Sequence, residues 1–310
     1  MRNTIIVTIL LFIAVIIASI FYFSDLNGEH KDAVKPLKFL PHDTYLIAGF
    51  QNNETTANIF KDFEIFEALI GKRQLANMQD LRSKLRQVKD LQPYIQDVEL
   101  YISLHPEGDS LAFLYTVPLQ EKLNANTLEK VLPTFADNKE IAHKDTLNNR
   151  IYSFPSGGKD AILHVVYHKD IIFASYADSL ILKLIDQKTE KLDAKQIDYF
   201  VQNNSRNSPL SVYFAHQQIA AVASHFLRDA KGDIVGQFAE LGGESAWNLN
   251  YKNDALILSG ESKMNPNKQS YLGLFAEQEK TVQGLYRYFP ENTALFMEYA
   301  VSNKALFQSQ

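Results

Sequence analysis

Residues 150–185 read RIYSFPSGGKDAILHVVYHKDIIFASYADSLILKLI, and the order of elements within them decides the fold class. Arg150–Phe154, Ala161–His168 and Ile171–Ser175 are rich in the β-branched and aromatic residues that suit a pleated, half-buried surface. Pro155-Ser-Gly-Gly158 and Lys169-Asp170 separate them, and both are turn chemistry. A helix follows from near Ala177, carrying Leu180, Leu182, Leu184 and Ile185. Strands joined by such short turns pair as hairpins, whereas a doubly wound parallel sheet needs a helix between each pair. The reading is an α+β fold of largely antiparallel sheets with packed amphipathic helices, after one N-terminal transmembrane helix.

Working outward, Thr44–Phe50 is a short apolar run bounded by turn residues and is expected as a strand. Ile59, Phe60, Phe63, Phe66, Leu69 and Ile70 recur at the helical period, with Gly71 where a helix stop belongs. Leu75, Met78, Leu81, Leu85 and Val88 form a second stripe, expected to face the core. The runs Val98–Leu104 and Leu111–Val117 flank His105-Pro-Glu-Gly-Asp109, expected as the turn of a hairpin. Asn126 and Glu129 have the spacing of a capping box for a short helix towards Val131. Beyond residue 185 the pattern predicts helices over 194–201, 217–227 and 234–241, a strand over 210–215, and a hairpin of 245–251 with 255–261.

Residues 4–23, TIIVTILLFIAVIIASIFYF, hold no charged side chain. At about 1.5 Å per residue a helix of this length matches the roughly 30 Å hydrocarbon core of a bilayer. A cleavable signal peptide is the competing reading. It has a shorter apolar core and a small-residue cleavage site, but here Ala18-Ser19-Ile20 runs into Phe21-Tyr22-Phe23, aromatics suited to a membrane interface. The head before the span is three residues long, too short to hold a domain, so the long body is expected on the extracytoplasmic side. The expected organisation is an anchor over 1–23, a polar tether over 24–38, a domain over 39–285, and the start of a second, incomplete copy over 286–310.

That second copy rests on a comparison of the two ends. Residues 39–50 read FLPHDTYLIAGF and residues 288–299 read YFPENTALFMEY. Without gaps, Pro41 meets Pro290, Asp43 meets Asn292, Thr44 meets Thr293 and Leu46 meets Leu295. Proline sets an extended entry, Asp or Asn caps the turn, and Thr opens the strand. The second copy stops three residues after Phe307, before its helix buries a face. The alternative is that Thr293–Tyr299 adds to the first domain's own sheet. Phe39–Thr44, Tyr288–Thr293 and the strand-into-helix stretch Ile171–Leu184 resemble a family of bacterial membrane-anchored extracytoplasmic proteins of unknown function. In that family the first strand follows a Leu/Phe-Pro-x-Asp/Asn-Thr turn. The resemblance implies an order of elements and supplies no active-site residues.

Composition narrows the chemistry. A formal net charge of −5, with no Lys/Arg block of five, argues against nucleic acid as a partner. The absence of cysteine removes disulfides, a thiol nucleophile and Cys-ligated metals. His164 and His168 have the four-residue spacing of a helical zinc pair, but on a strand that spacing is about 13 Å, too far for one ion. His42, His105, His143, His216 and His225 lack ligand spacing and are expected in surface or capping roles. Ser156-Gly-Gly-Lys159 is followed by Asp160 and a strand, so it lacks the sequence and setting of a phosphate-binding loop. No catalytic, metal or cofactor site is expected. The functional expectation is an envelope domain that binds or supports another envelope protein, with the bilayer as partner through residues 4–23. The alternatives are a carrier or sensor of a small apolar ligand, and an enzyme with dispersed catalytic residues.

Overall fold

The computed structural model describes residues 34–52, 71–96, 98–108, 110–157, 161–205, 208–218, 242–252, 255–264, 271–275, 277–282, 284–293 and 300–309, with residues 16, 67, 222 and 298 singly. Most of the expected membrane span, of the helical stripe of 59–70, of the helices over 217–227 and 234–241 and of the strand over 293–299 lies outside them. No described helix is long and apolar enough to cross a membrane. The chain divides into two compact units, residues 1–213 with 246–261 and residues 214–245 with 262–310.

The strands are β1 (Leu46–Gln51), β2 (Glu99–Glu107), β3 (Ser110–Pro118), β4 (Ala142–Thr146), β5 (Asn149–Pro155), β6 (Ile162–His168), β7 (Ile171–Ser175), β8 (Leu210–Ala215), β9 (Gly243–Lys252) and β10 (Ala255–Met264). They form one sheet in the order β10-β9-β8-β1-β2-β3-β7-β6-β5-β4. Every pairing from β1 across to β4 is antiparallel. β4 to β7 are a meander that returns β7 to the side of β3. Its turn at Lys169 and Asp170 has φ of 49° and 64°, the backbone twist that a two-residue hairpin requires.

Side chains alternate between two cores. On one face Phe50, Leu100, Ile102, Leu163, Val165 and Ile172 pack under α1 (Lys72–Gln87) and α3 (Ala125–Phe135), with the short α2 (Gln92–Ile95) beside them. On the other, Ile47, Tyr101, Leu114, Val166, Ile171 and Phe173 pack under α4 (Asp178–Ile185) and α5 (Ala194–Asn203). Both faces are covered, so the central strands read as nearly unbroken apolar runs, as six consecutive buried residues of β2 illustrate. Asp193 and Gln196 close a full capping box at the start of α5, which fixes where that helix begins. Gly71 has φ 87° and its N–H donates to the Glu67 carbonyl at 2.9 Å, so the turn before α1 uses a conformation that glycine adopts at low cost.

Several expectations are corrected. Residues 34–37, expected within the tether, form a helical turn with Leu37 fully buried and Leu40 1% exposed, so ordered packing starts before Phe39. Apolar side chains at 34, 37 and 40 were masked by the lysines between them. The turn after β2 is tighter than His105–Asp109, because the strand continues through Glu107. The cap of α3 is Asn124, whose Oδ1 accepts from the Asn126 N–H at 3.0 Å. β4 is an unexpected strand, mostly exposed along its length, and therefore without apolar alternation.

In the second unit, His216 Nε2 lies 2.7 Å from Ser245 Oγ, which lies 2.6 Å from Ser262 Oγ. A short α6 (Lys304–Ser309) begins at Asn303, whose side chain accepts from the Leu306 N–H. Phe275 packs on Phe307 with ring centres 5.4 Å apart.

Candidate functional site

Pro41 and Thr44 form a closed turn: the Thr44 N–H and hydroxyl donate to the Pro41 carbonyl at 3.1 and 2.6 Å. Thr293 closes the same kind of turn, donating to the Pro290 carbonyl through N–H and hydroxyl at 3.0 and 2.8 Å. Threonine closes this turn. Asp43 instead accepts from Lys183 Nζ at 3.2 Å, and its counterpart Asn292 is exposed. The structure therefore gives Pro41, Thr44, Pro290 and Thr293 a structural role.

Behind the first turn is a polar cluster that the sequence did not reveal. His105 is fully buried, with Nε2 2.7 Å from Ser103 Oγ and Nδ1 3.4 Å from Thr44 Oγ1. Burial pushes its pKa down to about 3, with smaller effects from Asp43 upward and Lys183 downward. A serine beside a histidine resembles a hydrolase pair, but Ser103 is 1% exposed and Thr44 3%, so no substrate reaches the hydroxyl. The cluster joins β1 to β2 as a neutral hydrogen-bonded core group.

His164 and His168 both lie on β6, each with a separate partner, Ser153 Oγ at 2.9 Å and Asn149 Oδ1 at 2.7 Å. Burial lowers the pKa of each. Among the described residues no cluster of His, Asp and Glu has the arrangement to hold a metal ion. A solvent-open groove of about 590 Å³ runs past Glu129, Asp145 and Arg150. Its charges satisfy one another: Arg150 donates to Asp145 at 2.8 and 3.2 Å, and Tyr152 donates to Glu129 at 3.1 Å. The guanidinium accordingly holds the Asp145 carboxyl below its usual range.

A cavity of about 90 Å³ lies on the α1–α3 side of the sheet. Its floor includes Leu100, Ile102, Tyr115, Val165, Ile172 and Ala174. Its roof includes Met78, Leu81 and Leu85 of α1 and Leu128, Leu132 and Phe135 of α3. Lys84 Nζ holds the two helices together beside it, donating to the Phe135 carbonyl at 3.2 Å and pairing with Asp80 and Asp137 at 3.0 and 2.9 Å. The wall is almost wholly apolar, and the charged residue among those lining it is the half-buried Arg82. The helical stripe of 75–88 announced the roof, but the gap beneath it depends on side-chain volumes across strands far apart in the chain. Chemically the cavity offers dispersion and burial for an apolar group.

No protein-family model matches the chain. No curated protein matches it. Among solved structures, one described as crystal form I of TP0453 aligns at 9% identity with a TM-score of 0.41, covering 80% of this chain and 88% of that one. A likeness this slight transfers neither fold nor chemistry.

Proposed function

We propose that the chain is a membrane-tethered extracytoplasmic domain that holds a small apolar ligand between its sheet and helices α1 and α3. The cavity carries this reading. An unfilled void of about 90 Å³ costs about 2 kcal/mol, at roughly 24 cal/mol per Å³. That is a substantial share of the 5–15 kcal/mol by which domains are commonly stable, and a bound apolar group offsets it. The tether and location rest on the uncharged stretch of residues 4–23.

Xenon is the simplest probe, because apolar cavities admit it. In the full chain, carried in lipid nanodiscs and labelled with ¹³C-methyl methionine, the Met78 signal should move under xenon pressure while that of Met264 stays still. A stationary Met78 signal sinks the ligand reading. Protease added outside intact cells should digest the body; protection there would overturn the proposed location.

A second reading, docking of another envelope protein, is favoured by one observation. In the second unit Val282 is 90% exposed, Leu285 53%, Tyr288 84% and Phe289 42%, an apolar concentration within eight residues. Crosslinking from position 288 to one defined envelope protein in intact cells, lost on Tyr288→Asp, supports it. Undiminished crosslinking in that variant counts against it.

A further inference from the structure

The hairpin that joins β4 to β5 holds a backbone outlier that packing does not explain. Its two-residue turn, Leu147-Asn148, has φ of 49° and 59°, the twist such a turn requires. Among the described residues six other than glycine have positive φ, and five of them are Asp, Asn or Lys. The sixth is Leu147. A leucine meets a steric cost there that Asn or Gly largely escapes, and at 53% exposure it regains little of that cost by burial. Strain held at an exposed tip points to a use. Leu147 stands at the solvent-open groove past Glu129, Asp145 and Arg150, whose volume of about 590 Å³ is that of a small-ligand site.

The lining sets the ligand's chemistry. Leu147, Tyr152 and Tyr167 supply apolar surface. Arg150 directs Nε and Nη2 at the two oxygens of Asp145, at 2.8 and 3.2 Å, and this paired charge favours neither an anion nor a cation. Each Asp145 oxygen thereby accepts one hydrogen bond and keeps a further lone pair, and the exposed Asn148 amide offers both donors and an acceptor. A hydroxyl, which donates and accepts, matches that set without bringing a charge. The frame is fixed beforehand: Asn149 Nδ2 donates to the Leu147 carbonyl at 2.6 Å, and His168 Nδ1 lies 2.7 Å from Asn149 Oδ1. We propose that this groove binds an uncharged saccharide, whose C–H face packs on Leu147 and the tyrosines while its hydroxyls bond Asp145 and Asn148.

The test titrates the full chain, in phosphatidylcholine nanodiscs and labelled with ¹³C-methyl leucine, with glucose, N-acetylglucosamine, cellobiose and N,N′-diacetylchitobiose in turn. Glucuronate serves as the anionic counterpart of glucose. At least one neutral sugar should bind with a millimolar or tighter dissociation constant and shift the Leu147 methyl signals, and glucuronate should bind more weakly than that sugar. Asn148→Gly keeps a residue suited to the turn while deleting the amide, and should weaken binding measured by calorimetry about fivefold, as for one lost hydrogen bond. Leu147→Asn should raise the unfolding temperature by relieving the turn, yet weaken binding by a similar factor. Absence of binding by all four neutral sugars overturns the proposal. So do binding that leaves the Leu147 signals unmoved, tighter binding of glucuronate, and full affinity in both variants.

Discussion

Acidification perturbs the buried His105 cluster in a way that can be worked from its surroundings. The imidazole is fully buried and its pKa is depressed to about 3, principally by burial. In the unfolded chain a histidine titrates near pH ~6.5. Between those values the unfolded state binds a proton that the folded state refuses, so stability falls as pH drops below 6.5 and the loss saturates near 3. Each pH unit in that window is worth about 1.4 kcal/mol. At pH 5 this one residue should therefore remove about 2 kcal/mol relative to neutral pH. His105→Gln keeps groups able to bond Ser103 and Thr44 but does not titrate. Urea unfolding at pH 7 and pH 5 should show the unaltered chain losing about 2 kcal/mol more than the variant. Equal losses would refute the reasoning. So would an NMR titration in which the folded His105 ring takes up its proton near pH 6.5.

Three further outcomes follow from the packing. Leu37→Ala should destabilise the first unit by about 3 kcal/mol in thermal or urea unfolding, whereas a residue in a loose tether would tolerate the change. Asp193→Ala removes the acceptor at the start of α5 and should cost about 1 kcal/mol, with Asp193→Asn largely restoring it. Ala174→Val adds two carbons on the cavity floor and should stabilise by about 1 kcal/mol while abolishing the xenon shift at Met78; a persisting shift would mean that xenon binds elsewhere.

The central architecture was legible because its signals are local. Ile171–Ser175 and Leu210–Ala215 appear with the expected bounds, since each is an apolar run between turn residues. β4 was not legible: Ala142-His-Lys-Asp-Thr146 is an edge strand exposed on both sides, so burial imposes no alternation on its sequence. His105 was misjudged for a related reason. Its environment is set by Ser103 and by Thr44, 61 residues away, and only the pairing of β1 with β2 makes them neighbours. The cavity is the extreme case, because an absence of atoms between α1, α3 and five strands leaves no mark on any one of their sequences.

The meander has a consequence for how the chain assembles. β4 to β7 are joined in series by short connections, so this block of the sheet can form early at small loop-closure cost. Seating β8 beside β1 requires the ends of a segment about 160 residues long to meet, and it should come late. Pulse-labelled hydrogen exchange during refolding should therefore protect amides of Ile162–Ser175 before those of Leu210–Tyr213. Until that late step, the edges of β1 and β8 stay open to other strands, and the folding intermediate is the species most exposed to self-association.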